Sequence, residues 1–338
     1  RQEKTGLIQE TNMHFPPRRG LALAAACTLL AAPAVQAQGN FPSQPIRIIV
    51  GSEAGSAPDV LARVLGKELS AGLGQAIIVE NRAGATGTIG ANAVASAAPD
   101  GYTLLMGTVS NIALAPSFYP IKYKPTESFT PISMVASVPL VLVASPATGI
   151  ASVEQLRAKL KQAPKGSYSY SSPGVGGPQH LAGVLLGKQM GTELLHVPYK
   201  SGGAALTAVA GGETQIGFAG IAAAIGLVQA KRVTPLFVTA GQRFPQFPSV
   251  PSAPEAGLPE LDVDNWHALF APAGLPAPVR ATLEAAVNKA LQAPEVKKQF
   301  ESLGAAPTGS TGKELAEKVT AETARWTKIV DDNGIKAQ

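Results

Sequence analysis

The sequence predicts an α/β fold in two lobes, each a mainly parallel sheet flanked by helices. Three observations carry this expectation. Short apolar runs alternate with Gly-rich loops and helical patterns, as in a parallel sheet covered on both faces. The alternation occurs in two blocks separated by longer apolar stretches. The length of 338 residues also exceeds what one core usually organises.

In the first block, 46–50 reads as a buried strand and 51–58 as a loop. Residues 59–73 read as a helix with Val60, Leu61, Val64, Leu65 and Leu69 at helical spacing. Strand 76–80, a small-residue helix over 88–97 and strand 102–106 follow. The second block has helices at 153–162, 179–190 and 204–210 and strands at 167–171, 193–197 and 214–219. Between the blocks lies 131–145, with an apolar stretch over 138–144, and 235–239 closes the second block. These two segments are read as crossovers, near Ala144 and Thr239. Helices at 278–291, 295–303 and 313–329 are expected to pack back on the first lobe. The expected domains are therefore 41–144 plus 240–338 for lobe 1 and 145–239 for lobe 2.

Residues 1–37 are set apart as upstream residues and a signal peptide. Met13 reads as the start, Arg18 and Arg19 as a basic head, and 21–32 as an apolar run of twelve residues, too short to span a bilayer. Val35-Gln36-Ala37 offers a cleavage site after Ala37, which implies export to the periplasm. Cys27, the single cysteine, lies inside that run, so the exported chain has neither disulfides nor thiol chemistry.

Composition excludes several functions. The net charge of +5 falls to +3 after cleavage, with 24 basic and 21 acidic side chains left. These are scattered and form no basic face of the kind nucleic acid requires. No nucleophile elbow, phosphate loop or dinucleotide fingerprint is present; Gly84, Gly87 and Gly90 lack the required spacing. His180, His196 and His267 have no metal-ligand spacing. An enzyme, a cofactor and a metal are therefore not expected.

Four loops that follow strands and lead into helices are the candidate site. Ligands of such sheets bind at the carboxyl ends of strands, where helix N-termini present free N–H groups and partial positive charge. The first loop holds Gly55, Ser56 and Asp59. It reads either as a carboxylate cradle or as a capping box with Ser56 as N-cap, and for Asp59 the cap is favoured. The second offers Thr108, Ser110 and Asn111, as contacts or as helix caps. The third runs from Ser172 through Val175 and Gly176 to His180, where glycines allow close backbone approach and His180 is either a contact or a structural hydrogen-bonder. The fourth carries Tyr199, with Lys200 beside it as a solvated charge.

These stretches resemble the tripartite tricarboxylate transporter receptors, the Bug solute-binding proteins. The most specific is Val79-Glu-Asn-Arg-Ala-Gly-Ala-Thr-Gly-Thr-Ile-Gly90, continued by Ala97-Ala-Pro-Asp-Gly-Tyr-Thr-Leu-Leu105. Pro45-Ile-Arg-Ile-Ile-Val50, Phe129-Thr-Pro-Ile132, Gly174-Val-Gly176 with His180-Leu181, Val197-Pro-Tyr-Lys200 and 251–257 add to it. The resemblance covers about 41–335. It implies a periplasmic-binding-protein fold of type II-like architecture, with a ligand cleft between the lobes, and capture of a small carboxylate without catalysis. It also implies ligand contacts at Gly55, Ser56, Asp59, Thr108, Ser110, Asn111, Ser172, Val175, Gly176, His180 and Tyr199. The expected partners are membrane transporter subunits or a sensor protein, the chain itself being a monomer. The competing reading is a periplasmic enzyme acting on a small organic acid. One departure stands out: where the family has Pro-Phe-x-x-Gly-Gly, this chain has Gly51-Ser52-Glu53-Ala54-Gly55-Ser56, which adds a negative charge beside the expected anion site.

Overall fold

The computed structural model describes residues 41–335, and these build two sheets. The expected export segment, with Met13, Cys27 and the cleavage site at Ala37, lies outside the described residues. Strand β1 (Ile46–Val50) continues through helix α1 (Ala57–Leu73) into β2 (Ile77–Asn81). Helix α2 (Thr88–Ala95) then leads to β3 (Thr103–Thr108), and β1 lies between β2 and β3, parallel to both. Helix α1 forms because Leu61, Ala62, Leu65 and Leu69 recur on one face and are buried there. It stops where Gly74 takes a left-handed conformation, with φ of 67°. A wide helical turn over Ser110–Leu114 and the short helix α3 (Ala115–Phe118) lead to β4 (Phe129–Ser137).

The chain then enters the second sheet. Strand β5 (Leu140–Ala144), helix α4 (Val153–Gln162), strand β6 (Ser169–Ser172) and helix α5 (Pro178–Met190) come first. Strand β7 (Leu195–Pro198), helix α6 (Gly202–Gly211), strand β8 (Ile216–Gly220), helix α7 (Ile221–Gln229) and strand β9 (Thr234–Val238) complete it. The chain returns through β10 (His267–Pro272), α8 (Ala277–Ala290), α9 (Pro294–Ser302), β11 (Ala306–Pro307) and α10 (Gly312–Asp332). The first sheet has the order β11-β4-β10-β3-β1-β2 and the second β7-β6-β8-β5-β9.

Both sheets are mixed rather than mainly parallel. Strands β1 to β3 and β6 to β8 are the parallel sets, each joined by helical crossovers. Strands β4, β10 and β11 in the first sheet, and β5 and β9 in the second, are involved in antiparallel pairings. The reason is topological: β5 and β10 enter their sheets from the other sheet, not through a βαβ unit whose helix would carry the chain back to a parallel start.

The chain also passes between the sheets at points other than Ala144 and Thr239, although Thr239 packs beside those passages. Strand β5, through Ala144, pairs with β8 and β9 inside the second sheet. Beyond Thr239, Phe244, Phe247 and Val250 pack with Val141, Val143 and Val209 of that sheet. The segments that run from sheet to sheet are 137–139 and 264–266. They lie side by side through an antiparallel bridge between Pro139 and Asp264, with Val138 N–H donating to Asp264 Oδ1 (2.9 Å) and Asn265 N–H to Val138 O (3.2 Å). Pro139, which cannot donate to a ladder, divides the apolar run 131–145 into β4 and β5.

Helices α1, α8 and α9 share a core with one face of the first sheet, around Ile46, Ile48, Leu65, Leu283 and Phe300. A second core is continuous across both sheets. It joins Ile49, Leu105 and Trp326 of α10 to Leu142, Tyr170 and Leu181. At the join between sheets Thr239 is fully buried; its hydroxyl donates to Val263 O (2.6 Å) and accepts from Leu140 N–H (2.8 Å). Thr239→Val keeps the shape and strands both backbone groups. It is expected to lower the unfolding free energy in urea by about 1–3 kcal/mol; a loss below about 0.5 kcal/mol, within the range of neutral substitutions, contradicts this account of the join.

Candidate functional site

Three loops at the carboxyl ends of β1, β2 and β3 meet around a cavity of about 420 Å³. Its walls are Gly51, Ser52, Glu53 and Pro58 from the first loop, Ala83, Gly84, Thr86 and Gly87 from the second, and Thr108, Ser110 and Asn111 from the third. Asn265 and His267 complete it. The loops meet backbone to backbone: a Cβ on Gly51 would lie 2.7 Å from Gly87 Cα and O, and Gly87 itself has φ of 88°. A Cβ on Gly87 would in turn meet Asn111 Nδ2 at 2.9 Å. Side chains at either glycine would force the loops apart.

The first loop is tied from below. Asp59 is buried, and its carboxylate accepts from Gly55 N–H (2.8 Å), Asn81 Nδ2 (2.9 Å) and Arg63 Nε (3.1 Å). Asn81 Nδ2 also donates to Ser52 O (3.0 Å), and Arg63 Nη2 donates to Asn81 Oδ1 (3.0 Å). Burial pushes the Asp59 carboxyl up, but the donors from Arg63, Gly55 and Asn81 outweigh it and hold the group below its ordinary value. The expected capping box does not form. Asp59 reaches Gly55 rather than Ser56, and Ser56 Oγ bonds Ser52 Oγ (2.6 Å) instead of a helix N–H. Helix α1, and likewise α2 behind Gly87, therefore starts at the cavity without a side-chain cap. Pro58 has no N–H and Thr88 N–H donates to Ala85 O, so Ala57 and Asp59 in α1 and Ile89 and Gly90 in α2 hold the first-turn N–H groups without intrahelical partners, at the positive end of each helix dipole.

The third loop is capped reciprocally. Thr108 N–H donates to Asn111 Oδ1 (2.8 Å) and Asn111 N–H to Thr108 Oγ1 (3.3 Å). The Tyr123 hydroxyl donates to the Asn111 carbonyl, and Val109 N–H donates to Trp266 O (3.1 Å). The capping reading of this loop holds, and the capping residues also line the cavity. Thr108 pairs across the sheet with His267. His267 is 1% exposed, its Nδ1 makes no well-formed hydrogen bond, and burial pushes its pKa down to about 4 against the pull of the Asn265 main chain.

Gly55, Ser56 and Asp59 support the first loop without lining the cavity, and the remaining expected residues lie around β6 and β7, also outside its lining. Gly176 has φ of 80°, and a Cβ there would meet the Phe118 ring at 3.2 Å, so the third expected loop touches α3 of the first sheet. Val175 is half-buried beside it. His180 is buried, its Nδ1 accepts from Gly176 N–H (3.1 Å), and its ring stacks on His196 at 4.0 Å. Burial and the neighbouring His196 push its pKa down to about 4, and burial does the same to His196. Ser172 Oγ donates to Gly174 O (2.8 Å) and lies 2.6 Å from His196 Nε2. The Tyr199 hydroxyl donates to Glu213 (3.1 Å), and Lys200 is exposed. Sequence reasoning did not select Ala83, Gly84, Thr86, Gly87, Asn265 or His267 for the site. The first four fall in the stretch 79–90 that carried the resemblance, which was the available signal. Asn265 and His267 arrive through the passage between sheets and have no local one.

The family model described as tripartite tricarboxylate transporter family receptor matches residues 61–335. The chain is 35% identical over 302 residues to the protein BugT of Bordetella pertussis, covering 88% of this chain and 91% of that one. A Rhodopseudomonas palustris protein solved with adipate superposes with a TM-score of 0.76 at 30% identity, over 88% of this chain and 100% of that one. MatC of Rhodopseudomonas palustris, with malate bound, superposes with a TM-score of 0.72 at 31% identity, over 86% of this chain and 100% of that one.

Three neutral histidines, the buried His180 and His267 and the half-buried His196, set the pH dependence of stability. Each has a folded pKa of about 4 against 6.5 in the unfolded chain, so the unfolded state binds more protons between these values. Their stabilising contribution is present above about 6.5 and is lost as pH falls towards 4. Asp59, with its lowered pKa, adds to this loss below its unfolded value of 3.8. Asp264 opposes it: burial raises its pKa to about 6, so it favours the folded state as pH falls towards 3.8. The histidines outnumber it, and the urea midpoint is expected to drop between pH 7 and pH 4. A flat or rising midpoint over that interval contradicts the withdrawal of these three imidazoles from water.

Proposed function

This chain belongs to the tripartite tricarboxylate transporter receptor family, and we propose that it is a periplasmic receptor that captures a small carboxylate in the cavity between the loops of β1, β2 and β3. The observation that carries this reading is the convergence of two helix N-termini without side-chain caps on one cavity that Thr108, Ser110 and Asn111 also line. Oriented N–H groups are a ready site for an anion. Relatives holding adipate and malate on the same fold support the ligand class.

In this reading Thr108, Ser110 and Asn111 contact the ligand directly, and Gly55, Ser56 and Asp59 shape the first loop. Ser172, Val175, Gly176, His180 and Tyr199 belong to the opposing lobe and meet the ligand when the lobes close. The lobes are 41–138 with 265–335, and 139–264. Closure bends the paired segments 137–139 and 264–266, where few backbone angles need change. A closed, loaded form gives a transporter subunit or a sensor in the membrane something to distinguish from the empty form. The chain works without catalysis. The pair with the geometry of a nucleophile and base, Ser172 and His196, is unsuited to it: Ser172 is fully buried, and its hydroxyl is engaged by Gly174.

A thermal-shift screen of mono-, di- and tricarboxylates and amino acids, followed by calorimetry, tests this. Ser110→Phe fills the cavity. It is expected to weaken the best carboxylate by about a hundredfold, roughly 2.7 kcal/mol, while leaving the melting temperature within a few degrees. Unchanged affinity in that variant means that the carboxylate sits elsewhere.

A further inference from the structure

We propose that Glu53 sets the class of carboxylate, so that the cavity takes a zwitterion bearing an ammonium group in preference to a dicarboxylate of the same length. The inference rests on the cavity being the ligand site, as proposed above, and follows from counting charge around it.

Of the thirteen residues that form the walls, Glu53 alone bears a charged side chain, and it is negative. The positive end of the cavity is supplied by backbone. Each helix N-terminus is equivalent to about half an elementary charge, so α1 and α2 together balance roughly one carboxylate. The nearby cations are committed to other groups: Arg63 pairs with Asp59 (2.9 Å) and Arg82 with Glu80 (2.8 Å). Glu53 itself takes part in none of the ion pairs formed among the described residues. It is exposed on the turn closed by Ser56 N–H donating to Glu53 O (3.2 Å), directly before the start of α1. Also in the walls, His267 is buried, neutral and without a well-formed bond at Nδ1, so it offers a ligand a hydrogen bond but no charge.

The balance has a clear sign. One carboxylate on the two helix ends, with Glu53 beside it, leaves one negative charge uncompensated. An ammonium group supplies the missing positive charge and has Glu53 as its acceptor. A second carboxylate finds no cationic side chain among the walls and meets Glu53 as a like charge, which acts as a repulsive element against that class. Glu53 stands at the first of the two unspecified positions of the Pro-Phe-x-x-Gly-Gly pattern, directly after Gly51-Ser52, which replace the apolar Pro-Phe pair.

The test uses matched pairs with equal numbers of methylenes: β-alanine against succinate, γ-aminobutyrate against glutarate, and δ-aminovalerate against adipate. Calorimetry is run on the wild type, Glu53→Gln and Ser110→Phe, with melting temperatures to confirm folding. Wild type is expected to favour the amino acid in at least one pair by about tenfold or more, and Glu53→Gln to shrink that ratio by about tenfold. A wild-type preference for the dicarboxylates, or a preference that Glu53→Gln leaves unchanged, overturns the role of Glu53. If Ser110→Phe abolishes that binding, the carboxylate reading survives this failure. If no member of either series binds, the class is wrong; if the wider carboxylate screen is also empty, the reading of the cavity falls with it.

Discussion

Gly51 and Gly87 touch through their backbones, with no space for a side chain on either. The site depends on this contact because it brings the starts of α1 and α2 to one cavity. Neither helix end could present its N–H groups there if the loops were held apart by even a methyl group. The contact is secured beneath by Asp59, which Arg63 and Asn81 keep ionised and oriented, and by Asn111, which packs against Gly87 while capping its own turn. Charged and polar side chains thus build the frame, and the surface they frame is largely backbone.

That division of labour explains what the sequence revealed. Elements with strong local periodicity were legible: α1 from Leu61, Leu65 and Leu69, β1 and β5 from their apolar runs, and α10 from its buried stripe. Helix α7 and strand β10 were not, because Ile221–Gln229 is small and apolar without a polar face, and His267–Pro272 is short and wholly buried. The crossovers were misplaced for a related reason. A continuous apolar stretch does not say which sheet it joins, and only the pairing of β5 with β8 and β9 settles it.

The site was legible in its loops but less so in its chemistry. Thr108, Ser110 and Asn111 were found from their position after a strand, and they line the cavity. His180 and Ser172 were chosen by the same rule, yet within this structure they serve the loop around Gly176, through bonds to Gly176 N–H and Gly174. Gly84, Thr86 and Gly87 act through backbone conformation, which residue type reports only indirectly. His267 depends on a strand pairing remote in sequence.

The central claim is that backbone N–H groups at two helix starts hold a carboxylate. Amide-resolved NMR tests it most directly, titrating labelled protein with whichever carboxylate gives the largest thermal shift. The account predicts that the amides of the first turns of α1 and α2, with Ser110, move furthest and saturate together, because hydrogen bonding to an anion deshields them. Shifts confined to Tyr199, Lys200 or other surface positions, with these amides unmoved at saturation, would contradict it.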